Sequence, residues 1–228
     1  MQPLLLLHGA IGASRQLDTL AEQLSANYKV YTLDFSGHGN KPMPEEAYSI
    51  ELFANDVLRF MKEKHLEKVS IFGYSMGGYV GMHLAKHHSA KISKVITLAT
   101  KYNWDETIAA KEIQMLNPEK IELKLPAFAN ALKQRHAPND WKEVLKKTAE
   151  MMVTLGNKNT LVTTDYASII TPVLLLVGDR DKMVSHEETT AVLNVLPDAQ
   201  MCVLPGTQHP IEQADTELLN FIIRRFLK

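Results

Sequence analysis

The sequence predicts an α/β fold in which a doubly wound, mainly parallel sheet of six strands carries an all-helical insertion. Two observations support this prediction. Short apolar runs alternate with segments whose apolar residues recur at helical spacing, and right-handed crossovers turn this alternation into a parallel sheet with helices on both faces. Between residues 101 and 159 the alternation stops and only helical patterns remain.

The size and charge of the chain limit its class. Its 228 residues, of which 45% are hydrophobic, can build one large core, so we expect one domain with an insertion. The 25 basic and 26 acidic residues nearly balance, which favours neither nucleic acid nor an anionic membrane as a partner. The first apolar run is too short for a signal-peptide core or a spanning helix, so we expect a cytoplasmic protein.

The first part of the chain contains two predicted strand–helix units. Leu4–Leu7 is a continuous apolar run, which is typical of a strand buried on both faces. Residues 14–25 have the apolar spacing of a helix. Val30–Leu33 is the second predicted strand, and Ser49 can cap a helix that extends to about residue 65.

A third strand pattern, residues 68–72, continues into the sequence Gly73-Tyr74-Ser75-Met76-Gly77, and a helical pattern follows to about His88. A serine on such a tight strand-to-helix turn holds its hydroxyl above the end of the sheet, and the two glycines leave the room that the turn needs. The N-terminus of the following helix favours a developing oxyanion. The motif alone also fits a glycine-rich loop with an idle serine.

Three more strands are predicted beyond this turn, at Lys94–Ala99, Val173–Val177 and Ala199–Leu204. The predicted helices between and after them cover residues 159–170, a segment opened by Ser185 with Glu188 in a capping box, and a final segment opened by Pro210. The single cysteine, Cys202, excludes an internal disulfide, and its apolar surroundings predict a buried strand residue.

The strand–turn–helix around Ser75 resembles the nucleophile elbow of the α/β-hydrolase superfamily, and the chain resembles that superfamily's capped serine hydrolases over essentially its whole length. The resemblance implies the strand order 2-1-3-4-5-6, without the N-terminal hairpin that the family usually has. Residues 101–159 look like the family's cap, although crossover helices are an alternative, and residues 1–100 and 160–228 would form the core. The exposed edge at Val30–Leu33 is compatible with a monomer or a homodimer.

A serine nucleophile needs a base and an orienting acid, which in this fold follow later strands in the order serine, acid, histidine. His209 follows the last strand and resembles the family's base. Asp181 matches the family's spacing Gly178-x-x-Asp181-x-x-Val184, so we assign it as the acid and keep Asp179 as the alternative. An acid after the strand at Lys94–Ala99 is disfavoured, because the first acidic residue there is Asp105.

The backbone N–H of Met76 and, by family analogy, that of Ala10 are the predicted oxyanion donors. Alanine at residue 10 leaves room for an acyl group, and we expect His8 to brace this loop. Tyr74 and Ile11 are the predicted substrate-binding residues, together with methionines and aromatic residues of the cap. Packing within the cap explains the cap residues equally well.

The remaining histidines predict no metal site. His83 and His87 lie one helical turn apart, but no third ligand accompanies them, so we expect a solvated face. We expect His38 to be structural, in a turn tied by Asp34, and His65 and His136 to be exposed at helix ends.

The resemblance therefore implies a serine hydrolase that cleaves a small to medium carboxylic ester or thioester through an acyl-enzyme on Ser75, with a small-molecule acyl substrate and no cofactor. The same triad could instead serve carbon–carbon bond hydrolysis, peptide hydrolysis, a lyase step or perhydrolysis. A slow-turnover ligand-binding or signalling protein is a further alternative. A haloalkane dehalogenase is disfavoured, because its elbow requires an aspartate where this chain has Ser75.

Overall fold

The computed structural model describes all 228 residues and contains a single six-stranded sheet. All neighbouring strands are parallel, and their order is β2-β1-β3-β4-β5-β6, as the sequence analysis predicted. The strands are β1 (Pro3–Leu7), β2 (Lys29–Leu33), β3 (Val69–Tyr74), β4 (Ile92–Leu98), β5 (Val173–Gly178) and β6 (Ala199–Leu204).

Ten α-helices accompany the sheet. They are α1 (Asp18–Ser25), α2 (Ile50–Glu63), α3 (Met76–His87), α4 (Glu106–Ile113), α5 (Pro118–Lys124), α6 (Pro126–His136), α7 (Trp141–Asn157), α8 (Thr163–Tyr166), α9 (His186–Leu193) and α10 (Thr216–Leu227). Short 3-10 turns cover Ser14–Leu17, Ser89–Lys91, Gln114–Leu116 and Ile211–Gln213. None of the helices combines the length and the apolarity needed to cross a bilayer.

The strand β1 shows how the sequence divides the core into two layers. Successive side chains of a strand point to opposite faces of the sheet. Leu5 and Leu7 therefore join one cluster of 31 buried residues with α2 and α3, and Leu4 and Leu6 join a second cluster of 18 residues with α1 and α10. All four positions from Leu4 to Leu7 are apolar because both faces of β1 are covered by helices.

Several helices begin where the sequence provides a capping side chain. The Ser49 hydroxyl accepts a hydrogen bond from Leu52 N–H at 3.0 Å, and the Ser185 hydroxyl accepts one from Glu188 N–H at 3.1 Å, so both predicted caps form. The predicted capping box is incomplete, because Glu188 Oε1 accepts from the N–H groups of Tyr102 and Asn103 instead. The final helix begins at Thr216 instead of Pro210, because the Asp215 carboxylate caps it there.

The predicted helix at residues 159–170 is wrong for most of its length, since only Thr163–Tyr166 is helical. A contact from the core explains this difference: Leu161 N–H donates to the Tyr79 hydroxyl at 2.9 Å, and the same hydroxyl bonds Asn159. Cys202 is half-buried instead of buried, because β6 lies at the edge of the sheet.

The insertion holds the four helices α4 to α7 and no strand. Seven of its residues form a separate small core: Leu116, Ile121, Ala129, Leu132, Trp141, Leu145 and Met152. The long helix α7 also reaches the main core through Val144, Met151 and Leu155. The insertion therefore packs over the carboxyl ends of the strands as a helical cap. Its division from the core at residues 100 and 160 stays a prediction.

Candidate active site

Ser75 lies in a strained turn between β3 and α3. Its φ of 51° and ψ of −115° are rare for a residue with a side chain, and such strain persists only where surrounding contacts fix it. The Ser75 N–H donates to Leu98 O at 2.8 Å, and Thr100 Oγ1 donates to Ser75 O at 3.0 Å. The end of β4 thus holds the serine in place. An added Cβ at Gly73 would collide with the Gly77 carbonyl, which explains the first glycine of the motif.

Asp181 and His209 form a hydrogen-bonded pair beyond the ends of β5 and β6. His209 Nδ1 lies 2.8 Å from Asp181 Oδ2, and the Asp181 side chain is fully buried. The other carboxylate oxygen, Oδ1, accepts from Met183 N–H at 2.8 Å and Val184 N–H at 2.9 Å. Because a carboxylate only accepts, His209 Nδ1 carries the proton and Nε2 is free to act as a base.

Burial alone would raise the pKa of Asp181. The hydrogen bond and charge of His209, with the two backbone N–H groups, outweigh this effect and hold the pKa below its usual value. Asp179 lacks these contacts: its partly exposed carboxylate lies 3.9 Å from the Arg180 guanidinium. The geometry therefore favours Asp181 over Asp179 as the partner of the histidine.

The His209 ring lies beside the elbow, with its centroid 5.6 Å from that of Tyr74. His209 has one side-chain hydrogen bond, to Asp181, and none to Ser75 Oγ. Such a nucleophile–base contact is often long in enzymes without substrate and tightens when substrate binds.

The loop after β1 packs directly against the elbow. A Cβ at Gly77 would lie 2.5 Å from Leu7 O, and a Cβ at Gly9 would lie 3.2 Å from Ser75 Cβ. His8 braces this loop, as predicted: its Nε2 accepts from Phe35 N–H at 3.1 Å, so its Nδ1 donates to Gly9 O at 2.8 Å. Burial lowers the pKa of His8 to about 4 and keeps the ring neutral.

The cap also contacts this loop at Ile11, which like Ser75 has a strained backbone conformation. Ile11 has a φ of 52°, and its carbonyl accepts from His136 Nε2 at 3.0 Å and Arg135 Nη1 at 3.1 Å. His136 Nδ1 accepts from Gly39 N–H at 3.2 Å. The prediction that His136 is exposed is therefore wrong, since both ring nitrogens bond buried backbone. Burial lowers its pKa to about 4.

A cavity of about 40 Å³ opens at Ser75. Ala10 and Met76, the predicted oxyanion donors, line it together with the serine. As the first residue of α3, Met76 has an N–H without a partner inside the helix. The rest of the wall comes from Ile50, Tyr79, Lys101, Trp104, Met151, Met152 and Leu155. A larger cavity of about 630 Å³ lies between the start of the cap and α9 and does not include Ser75.

The structure places the two predicted substrate-binding residues outside the Ser75 cavity. The Tyr74 ring packs against Gly9 and His209 in the second core layer, because β3 directs it to that face of the sheet. Ile11 lines a neighbouring groove under the cap. Lys101 was missed as a cavity residue, since no local pattern marks a lysine just after a strand as part of a site.

A family model described as "Serine aminopeptidase, S33" matches residues 2–216. The chain belongs to this family of α/β-hydrolases. The hydrolase is 22% identical to 2-(acetamidomethylene)succinate hydrolase of Mesorhizobium japonicum, over 98% of this chain and 87% of that one. It shares the fold of a thermophilic esterase from Thermogutta terrifontis (TM-score 0.78, 22% identity, 100% and 89% covered) and of MenH from S. aureus (TM-score 0.79, 22%, 99% and 93%).

Two further histidines of the hydrolase have structural surroundings. His38 is buried and its Nδ1 donates to Ser36 O at 3.2 Å, which agrees with the predicted structural role. The Asp34 carboxylate accepts from Ser14 N–H at 2.6 Å, so it joins this turn to the segment after β1. Within the turn, Ser36 is held by the Asp56 carboxylate instead. His83 is buried, so the predicted solvated face is wrong there, and burial lowers its pKa to about 4. The structure contains no cluster of three or more His, Cys, Asp or Glu side chains that could hold a metal ion.

Proposed function

We propose that this hydrolase cleaves carboxylic esters or thioesters of short acyl groups through an acyl-enzyme on Ser75. The observation that carries the proposal is the Asp181–His209 pair, which leaves His209 Nε2 free on a ring that lies next to the elbow. A small, mostly apolar cavity opens at Ser75 of that elbow. A positioned serine with a neutral histidine base is the arrangement that acyl transfer requires.

In the first half of the reaction, Ser75 Oγ attacks the acyl carbonyl carbon while His209 Nε2 takes the hydroxyl proton. The carbonyl oxygen becomes an oxyanion, which accepts hydrogen bonds from the N–H groups of Ala10 and Met76. Asp181 stabilises the imidazolium that forms. Collapse of the intermediate breaks the bond to the leaving alkoxide or thiolate, which takes the proton from His209.

In the second half, water attacks the acyl-enzyme and gives its proton to His209 Nε2. The second tetrahedral intermediate releases the carboxylic acid, and the proton returns to Ser75 Oγ. No metal or cofactor is needed for either half of this reaction.

The size of the cavity points to short acyl groups. One water-sized group needs roughly 10–15 Å³ of such space, so a cavity of about 40 Å³ holds about three. Acyl chains from acetyl to butyryl fit this space. The wall is apolar except at Ser75 and Lys101, so the chain itself should be aliphatic.

The charge of the wall argues against the aminopeptidase activity that the family description names. An aminoacyl substrate carries an ammonium next to its scissile bond, and a nearby carboxylate would have to receive it. The wall of the Ser75 cavity contains no carboxylate, and its one charged residue is Lys101, which lies 3.7 Å from Glu112 and 3.9 Å from Glu188. Esters without an amino group are therefore the favoured substrates.

The test is hydrolysis of p-nitrophenyl esters from acetate to octanoate, with alanine p-nitroanilide in the same panel. We expect turnover that is highest for the shortest chains and is lowered by at least about a thousandfold in Ser75→Ala. Ser25→Ala, which removes an exposed hydroxyl on α1, is the matched control and should behave as the parent. Equal activity in the parent and Ser75→Ala would overturn the proposal, as would faster cleavage of the anilide than of every ester.

A further inference from the structure

A groove under the cap adjoins the Ser75 cavity. It has a volume of about 480 Å³ and a mostly apolar wall that includes the exposed side chains of Leu125 and Phe128. Met152 lines both the groove and the Ser75 cavity, so the two spaces share a wall. Ile11 and Met183 also line the groove.

The positions of Ile11 and Met183 indicate that the groove receives the leaving group of the substrate. Ile11 directly follows the oxyanion donor Ala10, and Met183 lies two residues beyond Asp181. The groove therefore opens between the oxyanion side and the acid side of the site, whereas the small cavity receives the acyl chain. A bulky apolar leaving group fits the groove and is too large for the cavity.

The groove wall includes Glu112, a buried carboxylate with one oxygen that lacks a hydrogen-bond partner. The Glu112 side chain is 4% exposed and lies 3.7 Å from Lys101 Nζ through its Oε1 atom. Its other oxygen, Oε2, has no hydrogen-bond partner. A buried carboxylate oxygen without a donor is costly. Because Oε2 is closed to solvent in this structure, the Glu112 side chain must rotate toward the groove before a ligand there can supply the donor.

Lys101 cannot supply that donor from its present position. Its ammonium donates to Met183 O at 2.5 Å and lies 3.9 Å from Glu188 Oε2. Lys120 and Lys124 also line the groove, and their charges disfavour a cationic ligand. An anionic group such as a carboxylate has no proton to donate to Glu112. With cationic and anionic groups disfavoured, a neutral hydroxyl is the hydrogen-bond donor that fits the groove.

We infer that Glu112 determines specificity for the leaving group by accepting a hydrogen bond from a hydroxyl on an apolar alcohol in the groove. The substrate class is then the short-acyl monoester of an apolar diol, and hydrolysis with one water gives the short carboxylic acid and the free diol. This inference rests on the proposed ester hydrolysis. It adds the identity of the alcohol and the residue that recognises it.

The test compares acetate monoesters of linear diols with the acetates of the matching simple alcohols, over several chain lengths. The ratio of kcat/KM within each pair measures recognition of the free hydroxyl. We expect the parent to favour the hydroxylated ester by about tenfold at its best length, because a lost hydrogen bond to a charged group has an effect of this size. In Glu112→Leu the ratio should fall to about one while the simple acetates are still cleaved.

Two controls separate recognition from structural support. Glu112→Gln keeps an acceptor oxygen and should retain part of the preference, whereas Glu106→Leu, an exposed site on the same helix, should keep all of it. If Glu112 only supported the fold, both esters of a pair would slow equally and the ratio would stay constant, which would overturn the inference. A parent ratio of one or less at every length would overturn it without any variant. Failure of the parent to cleave simple acetates would instead refute the proposed ester hydrolysis itself.

Discussion

Met151→Ala should lengthen the acyl chain that the hydrolase prefers. Met151 is buried on α7 and lines the Ser75 cavity, and it does not line the groove under the cap. The substitution removes three heavy atoms from the cavity wall and leaves the elbow, the Asp181–His209 pair and the loop after β1 unchanged. The expected result is a shift of the optimum from the shortest acyl groups toward a chain about three carbons longer.

The magnitude follows from the size of the cavity. The parent cavity of about 40 Å³ holds about three groups of methylene size. Each further methylene that becomes buried in the variant contributes about 0.8 kcal/mol to binding. Three of them contribute about 2.4 kcal/mol, so the ratio of kcat/KM for heptanoyl over butyryl esters should rise roughly fiftyfold relative to the parent. The folded protein should lose about 2–5 kcal/mol of stability.

The assay is kcat/KM for p-nitrophenyl esters from acetate to octanoate, measured well below the melting temperature of each variant. Met61→Ala is the matched control, because Met61 is 1% exposed in the same core cluster and does not line the cavity. It should lose similar stability and keep the parent's chain-length profile. An unchanged profile in Met151→Ala, or an equal shift in Met61→Ala, would show that this cavity does not hold the acyl chain.

Three further outcomes are expected. Asp181→Asn should lower kcat by about a thousandfold or more, because the histidine loses its orienting carboxylate, whereas Asp179→Asn should stay within a few-fold of the parent. Gly77→Ala should fail to accumulate as folded protein, since its Cβ would lie 2.5 Å from a carbonyl oxygen of β1. Acid should destabilise the fold, because the pKa of His8 and that of His136 are about 4 in the folded protein and about 6.5 in the unfolded chain. Between these pH values the unfolded chain binds more protons than the folded protein. The free energy of unfolding therefore falls as the pH drops, by up to about 3 kcal/mol for each ring.

Each of these outcomes has a direct measurement. Steady-state kinetics of both aspartate variants decide the assignment of the acid, and a larger loss in Asp179→Asn would reverse it. Soluble yield and circular dichroism report on Gly77→Ala, and a well-folded product would show that the elbow can relax. Urea unfolding between neutral and mildly acidic pH reports on the histidines. A free energy of unfolding that stays constant over this range would contradict their buried, neutral state.

The strands could be predicted from sequence because their signal is local. Leu4–Leu7 must be apolar at every position when both faces of β1 are covered, and the same holds for Val173–Val177. The meeting of an acid after β5 with His209 after β6 could be predicted because parallel strands bring their carboxyl ends to one edge of the sheet. The choice of Asp181 over Asp179 came from the family resemblance. The order of the strands came from the family resemblance, since no local pattern encodes it.

The errors occur where a distant contact overrides a local pattern. His136 has the sequence surroundings of an exposed helix end, and its burial depends on the backbone of Ile11 and Gly39, which lie 125 and 97 residues away. Residues 159–162 lose their predicted helix to the hydroxyl of Tyr79, 82 residues from Leu161. The wall of the Ser75 cavity depends in the same way on where α7 lies over the sheet. Periodicity carries no information about such contacts.

The helix α6 connects the two sides of the site. Its last residues, Arg135 and His136, both donate to the carbonyl of Ile11, where a β-branched residue has a positive φ that its own sequence disfavours. Arg135 also lies 3.3 Å from Glu212, three residues beyond His209. One end of a cap helix thus contacts both the loop after β1 and the segment after β6. A core contact joins the same regions, because Gln16 Nε2 donates a hydrogen bond to Glu212 Oε1 at 2.5 Å. The cap is therefore a structural part of this geometry: a chain reduced to the sheet and its flanking helices would keep the His8 contact to the loop that carries Ala10 and would lose both hydrogen bonds to Ile11 O.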